Sequence, residues 1–319
     1  MTRARISLVV AMLLLGPACG AGDGAGGGVD EGAWSYPEHQ FVVDGVELPL
    51  SATEANAVGF DLDTDGTIDN RLGEMLTALQ GAMGSSSPQD SINLALREGL
   101  MISLLSIYAV DLTTSPKANA WTFVGQPQAL TDGPQPGGTF TLDPAAPIDA
   151  YFGGRIKNGV GYFGGPDAAF MLRTPFTDYG TLDLPLKSVR MEFDVSADGL
   201  ALENGRLAGA VTEADLQTEV LPQLTDLLDA VLERNCTDRG GTGGAGVCGC
   251  VPSSGTATIQ SLFDANGDCY VTLDEVTGNN LLATLLAGDV TLPDGSRAIS
   301  LAVGFHAVNA VYPHPAPPQ

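Results

Sequence analysis

Asp61, Asp63 and Asp65 stand at alternate positions of the chain, and Asp69 follows four residues later. If the backbone wraps around one centre, those carboxylates converge on it, and Gly66 permits the sharp turn that wrapping requires. Thr67 would offer its backbone carbonyl, and Asp69 would contribute directly or through water. Ile68 is expected to point the other way, into the core. Hard oxygen donors in that number suit Ca2+, which takes about six to eight. Carboxylates this close repel one another by roughly several kcal/mol unless a cation neutralises them. The bland alternative is a solvated acidic turn that spreads its charges apart.

A second acidic stretch runs from Asp264 to Glu275 as DANGDCYVTLDE. It resembles the EF-hand loop over all twelve positions. That resemblance implies Asp264, Asn266 and Asp268 as the first three ligands, Tyr270 as the carbonyl donor, Thr272 at the water-linked position and Glu275 as the bidentate carboxylate. The first loop resembles the opening nine positions of an EF-hand and also the aspartate-rich repeats of thrombospondin type 3. Leu72 occupies the place of its final Glu, and Glu74 is the nearest substitute. In the second loop Cys269 stands where an EF-hand has Gly. A non-Gly residue in that left-handed conformation costs about 1 kcal/mol, which a disulfide from Cys269 would offset. The metal-free alternative is a capping box, in which Thr272 and Glu275 start the next helix.

Four of the five cysteines, Cys236, Cys248, Cys250 and Cys269, fall close together. In an exported chain an even number implies two disulfides. Cys248 and Cys250 are too near in sequence to pair readily with each other. Cys236 and Cys269 are then the outer partners, in either order. A four-thiolate zinc site would more often show paired Cys-x-x-Cys knuckles, which are missing.

Catalytic constellations are scarce. His39, His306 and His314 are the only histidines. His39 adjoins a Gly-rich stretch, His314 lies between prolines, and His306 sits in an apolar run that suits a satisfied core or edge histidine. The chain has no Gly-x-Ser-x-Gly elbow, no His-Glu-x-x-His and no P-loop. Paired carboxylates of a glycosidase are conceivable among 38 acidic residues, but their number prevents selecting a pair.

Residues 41–50 form a strand before the first loop, and Leu72, Met75, Leu76 and Leu79 give helical spacing over 72–83. Between 100 and 110 helix and strand compete. From 120 to 211 short apolar runs alternate with Gly, Pro and Asp, and Asp198-Gly199 and Asn204-Gly205 mark tight turns. Thr212 to Arg234 carries an apolar helical stripe interrupted by Pro222, which implies a kink or two shorter helices. Residues 298–311 make a closing strand, and the Pro-rich tail from 313 is expected to be disordered. The fold class expected is α+β: a sandwich-like antiparallel sheet with flanking helices and a disulfide-stapled EF-hand-like segment.

The start of the chain carries a different signal. Arg3 and Arg5 precede an apolar run from Ile6 to Leu15, and Gly16-Pro17-Ala18 leads to Cys19, the order of an export signal. The run is too short to span a bilayer. Ala18 and Cys19 resemble the modification site of bacterial lipoproteins, although Gly16 departs from the usual Leu. This implies a lipid on Cys19 and attachment to the membrane. The expected organisation is 1–19 signal, 20–39 flexible tether, 40–235 main domain, 236–292 cysteine-rich EF-hand-like segment, and 293–319 closing strand and tail.

The net charge of −24 disfavours nucleic acid and anionic lipid and favours cations. As a whole the chain resembles myxobacterial-type lipoproteins that carry such calcium loops. The carrying residues are the Gly59-Phe60-Asp61 to Gly73 block, Gly205 to Val211 and Phe263 to Glu275. The resemblance implies an extracytoplasmic site, in the periplasm or at the outer membrane or cell surface, and calcium binding. The function expected is a structural or partner-binding role with a protein or glycan partner. A secreted, calcium-stabilised hydrolase acting on glycan is the alternative.

Overall fold

A computed structural model describes residues 29–73, 75, 88–128, 133–144, 146, 148, 150–175, 181–240, 248–251 and 256–317. The export segment, Cys19 and most of the helix expected over 72–83 lie outside the described residues.

The strands in chain order are β1 (Glu38–Glu47), β2 (Ser103–Ala109), β3 (Thr114–Pro127), β4 (Gly138–Leu142), β5 (Tyr151–Lys157), β6 (Val160–Gly164), β7 (Ala169–Pro175), β8 (Thr181–Val195), β9 (Ala201–Thr212), β10 (Val290–Thr291) and β11 (Arg297–Val311). The described α-helices of five or more residues are α1 (Ala52–Val58), α2 (Pro88–Arg97), α3 (Leu221–Asn235), α4 (Thr256–Phe263), α5 (Leu273–Thr277) and α6 (Asn280–Leu285). Pairing runs β1-β2-β3-β5-β6-β8-β9-β11 and returns to β1, every step antiparallel. The sheet is therefore a closed barrel of eight strands. Three further strands attach to it: β4 beside β3 and β11, β7 beside β8, and β10 beside β11.

This corrects the sandwich-like α+β expectation. The fold is mostly sheet, closed on itself as a barrel, with only a few short helices. The misreading has a physical cause. Gly205, read as a turn residue, and Gly161, outside the expected strands, lie inside strands as Gly154 does, where aromatic rings need the space. A Cβ on Gly154 would come within 2.5 Å of the Phe163 ring, one on Gly161 within 2.5 Å of Phe193, and one on Gly205 within 2.7 Å of Phe305. Register shifts at Val43/Gly45, Ser115/Ala118 and Phe305/Ala307 then bend the long strands, as closure requires.

Side chains fill the barrel. Phe41, Ile107, Ala120, Phe152, Phe163, Met191, Phe193, Leu207, Val303 and Phe305 are buried in one cluster. Charged residues such as Arg155, Glu192, Asp194 and Arg206 project from the opposite face of their strands. No described helix is long and apolar enough to cross a membrane. The same cluster continues into Leu228, Val231 and Leu232 of α3 and on to Ile259, Val276 and Leu285 of α4 to α6. The expected interruption at Pro222 takes the form of a π turn, Leu216–Val220, with Pro222 in the first turn of α3.

The chain enters the fold earlier than a tether ending at residue 39 allows. Trp34 packs edge-on against Tyr108, Trp121 and Tyr151 at ring separations of 5.0, 5.7 and 5.8 Å. The tail is likewise packed rather than disordered as far as His314, whose ring stacks on Phe123 at 5.3 Å. His314 Nε2 lies 2.5 Å from Glu38 Oε1, which also accepts from Ser106 Oγ at 2.6 Å and Gln40 Nε2 at 3.1 Å. Burial pushes the Glu38 carboxyl up, but these hydrogen bonds outweigh it and hold the group below its ordinary value. The bond to Glu38 raises the His314 pKa against the opposing effect of burial.

A raised histidine stabilises the docked tail fully below its unfolded value of about 6.5, and that contribution fades as pH rises through the folded value. His314 lies 5.5 Å from Trp121, so tryptophan fluorescence should follow the change. The expected titration has a midpoint above 6.5 and disappears in His314→Ala. A midpoint below 6.5 contradicts the assignment.

Candidate metal centres

The first acidic loop lies on the outer wall of the barrel, where β9 and β11 present small residues. Leu62 is 1% exposed and packs with Ala208, Ala210, Ala298 and Ala302, and Val58 and Phe60 flank it. A bridge between Phe60 and Asp69 closes the loop. Beyond it, Asn70 Nδ2 donates to the Ala302 carbonyl at 3.1 Å, and its Oδ1 accepts from the Ala302 N–H at 3.0 Å. The Arg71 N–H donates to the Ser300 carbonyl at 3.1 Å. These bonds occupy the stretch of β11 that β1 does not reach, so the loop also covers a sheet edge.

The second loop sits between α4 and α5 and is braced to α3. The Val271 N–H donates to Asp229 Oδ1 at 3.0 Å, and Arg239 Nε donates to the Cys269 carbonyl at 3.0 Å. Arg239 pairs with Asp229 and lies over the Tyr270 ring at 4.1 Å. The disulfides are Cys236–Cys250 and Cys248–Cys269, which settles the order that spacing leaves open. The first fastens the end of α3, and the second anchors the loop turn.

The two loops, 203 positions apart, have the same internal geometry. Backbone φ is positive at Thr64 (65°) and Gly66 (89°) in the first and at Gly267 (74°) and Cys269 (70°) in the second. The Gly66 N–H donates to Asp61 Oδ2 at 3.0 Å, as the Cys269 N–H does to Asp264 Oδ2 at 3.0 Å. Asp63 Oδ1 accepts from the Asp65 N–H at 3.2 Å, matching Asn266 Oδ1 and the Asp268 N–H at 2.8 Å. Asp65 Oδ1 accepts from the Thr67 N–H at 2.7 Å, matching Asp268 Oδ1 and the Tyr270 N–H at 2.9 Å. In each loop the other oxygen of the leading aspartate, Oδ1 of Asp61 and of Asp264, is buried without a hydrogen-bond partner. A buried unsatisfied carboxylate oxygen is costly, so each site calls for a cation or a proton.

The loops differ in what converges. Asp61, Asp63 and Asp65 each place a carboxylate oxygen within 4.8 Å of the other two. Asp63 also has an oxygen fixed by the Thr291 N–H at 3.2 Å. Asp69 stays outside that triple. Its Oδ2 accepts from the Leu62 N–H at 2.7 Å and acts as a latch on the loop. Burial pushes the Asp69 carboxyl up to about 6, helped by the negative charges of Asp63, Asp289 and Asp65 and opposed by the Leu62 N–H. Ile68 is 41% exposed, not turned into the core, because the bridge at Asp69 closes the loop beneath it.

In the second loop the Asp264 oxygen lies within 4.8 Å of the sulfurs of Cys248 and Cys269, which are bonded to each other and offer no thiolate. Glu275 and Thr272 form the capping box: Glu275 Oε2 accepts from the Thr272 N–H at 3.0 Å and its hydroxyl at 2.8 Å. The other Glu275 oxygen reaches across to the Asn266 N–H at 3.3 Å. The box and the loop thus share one carboxylate.

Sequence reading missed the supports. Asp229 and Arg239 hold the second loop from 42 and 30 positions away, Thr291 holds the first from 228 away, and Asn70 ties the first loop to Ala302, 232 positions on, contacts that no local pattern reveals. Two surface grooves lie among the described residues, one lined by Gly153, Gly154, Arg155, Gly165 and Asp167 and the other by Glu213, Leu216, Leu221, Val276 and Leu282.

No known family model, curated protein or solved structure matches the chain.

Proposed function

We propose that this chain is an extracytoplasmic calcium-binding barrel in which two loop-bound ions fix peripheral elements to the wall, leaving the outer surface for a structural or partner-binding role. The observation that carries this reading is the repeated one: two loops of the same backbone form, each with a buried, unpartnered oxygen on its leading aspartate. Asp61, Asp63 and Asp65 would hold one ion, with Asp69 and the Thr67 carbonyl completing its surroundings. Asp264, Asn266, Asp268, the Tyr270 carbonyl and Glu275 would hold the other, with Thr272 orienting Glu275. Lipid attachment at Cys19 would place the barrel at the envelope, where calcium near millimolar suits sites of about 10⁻⁴ to 10⁻³ M.

Calcium here neutralises and ties; it does no chemistry. At the first loop it would fasten the segment that covers β11, and at the second it would fix α4 against α5. Calorimetric titration of the purified chain with calcium should show saturable uptake approaching two ions per chain. Asp63→Ala with Asp268→Ala should remove it. Uptake that never saturates, or that survives both substitutions, rules the reading out.

A further inference from the structure

We propose that the Cys248–Cys269 disulfide sets the calcium affinity of the second loop, making that site sensitive to redox state while the first is not; the inference rests on the calcium reading above. Two loops of one geometry in one chain supply their own comparison. In the first the sharp turn falls on Gly66, which adopts φ 89° at no steric cost. In the second it falls on Cys269 at φ 70°, a conformation that a residue with a Cβ resists. What restrains Cys269 there is its bond to Cys248 and the donation from Arg239 to its carbonyl.

The turn and the ligand are directly connected. The Cys269 N–H holds Asp264 Oδ2 at 3.0 Å, and both residues are buried, at 2% and 8% exposure. The remaining Asp264 oxygen is unpartnered and buried, and the carboxylate has an oxygen within 4.8 Å of the same two sulfurs. A relaxation of Cys269 toward negative φ withdraws the N–H that aims this carboxylate. The described disulfides lie at the second loop and the end of α3, so the first loop should ignore the change.

The redox step requires an external dithiol. A thiolate of the reagent attacks one sulfur of Cys248–Cys269, giving a mixed disulfide and one protein thiolate. The reagent's second thiol then closes its own cyclic disulfide and releases the other cysteine. Two electrons and two protons pass to the protein, and two thiols replace one sulfur–sulfur bond. By linkage, whatever factor reduction removes from calcium affinity, calcium must remove from the ease of reduction.

Calcium titration of the full chain, before and after anaerobic treatment with dithiothreitol, tests this. Reduction should weaken one of two sites by roughly fivefold, as expected for loss of the restraint on one left-handed residue. Calcium at saturating concentration should slow the appearance of titratable thiols. If reduction unfolds the chain, two variants that keep Cys236–Cys250 replace it. Cys248→Ser with Cys269→Ser should show the weakened site without reductant, and Cys248→Ser with Cys269→Gly should restore it. Equal affinity in both variants, or two sites unchanged by reduction, overturns the redox inference and leaves the calcium reading standing. Failure of the oxidised chain to load its second loop overturns both.

Discussion

Replacing Gly154 with Val is expected to cost the barrel about 3 kcal/mol, at the upper end for overpacking a core. Gly154 pairs with Phe163 on β6 and with Ala118 on β3, so it lies on a closing seam of the sheet. A Cβ there would sit 2.3 Å from the Tyr162 carbonyl oxygen and 2.5 Å from the Phe163 ring. The oxygen belongs to the ladder and cannot move without breaking pairing. The ring is held by Phe193, stacked 5.6 Å away. Gly45→Ala is the control, because its Cβ meets only the His306 Cβ at 3.4 Å and its φ is not left-handed. Urea unfolding should separate the two clearly. A Gly154→Val chain as stable as Gly45→Ala would mean that the glycines are not required by ring packing.

Removal of calcium is expected to produce the other large effect. For sites of about 10⁻⁴ to 10⁻³ M, 10 mM calcium contributes roughly 1.4–2.7 kcal/mol for each ion bound only by the folded state. Two ions should therefore raise the melting temperature by about 5–10 °C over a chelated sample. The loss should not be uniform. The stretch of β11 at Ser300 and Ala302 is covered by Asn70 and Arg71, directly after the first loop. Chelation should speed amide exchange there and at Leu62 while the interior around Phe152 and Phe193 exchanges as before. Asp61→Asn should reproduce the local part of this with calcium present. Identical melting in calcium and chelator excludes the stabilising role.

The loops were legible because their chemistry is local. Alternating carboxylates, a glycine at the turn and a capping pair declare themselves within a dozen residues. The geometry they adopt, down to positive φ at Cys269, follows from that spacing. The barrel was not legible for the opposite reason. Its closing pair joins β1 to β11, with Phe41 opposite Asn309 and Val43 opposite Ala307, and no short pattern announces such a contact. Glycines compounded the error, since the same residue that ends a strand also makes room for a ring inside one. The tail shows a third limit: Pro-rich composition suggested disorder, yet His314 reaches Glu38 and an aromatic surface that exists only once the barrel has closed. Cysteine pairing also had to wait, because only the packing of α3 against α4 and α5 decides which sulfurs meet.

The measurement that bears most directly on calcium binding is an anomalous-scattering map from crystals grown in calcium. One ion is expected in each loop at calcium–oxygen distances of about 2.3–2.6 Å. Oδ1 of Asp61 and Oδ1 of Asp264 should each be among the donors. Maps in which those two oxygens face only water or a protonated neighbour, with no anomalous peak in either loop, would contradict it.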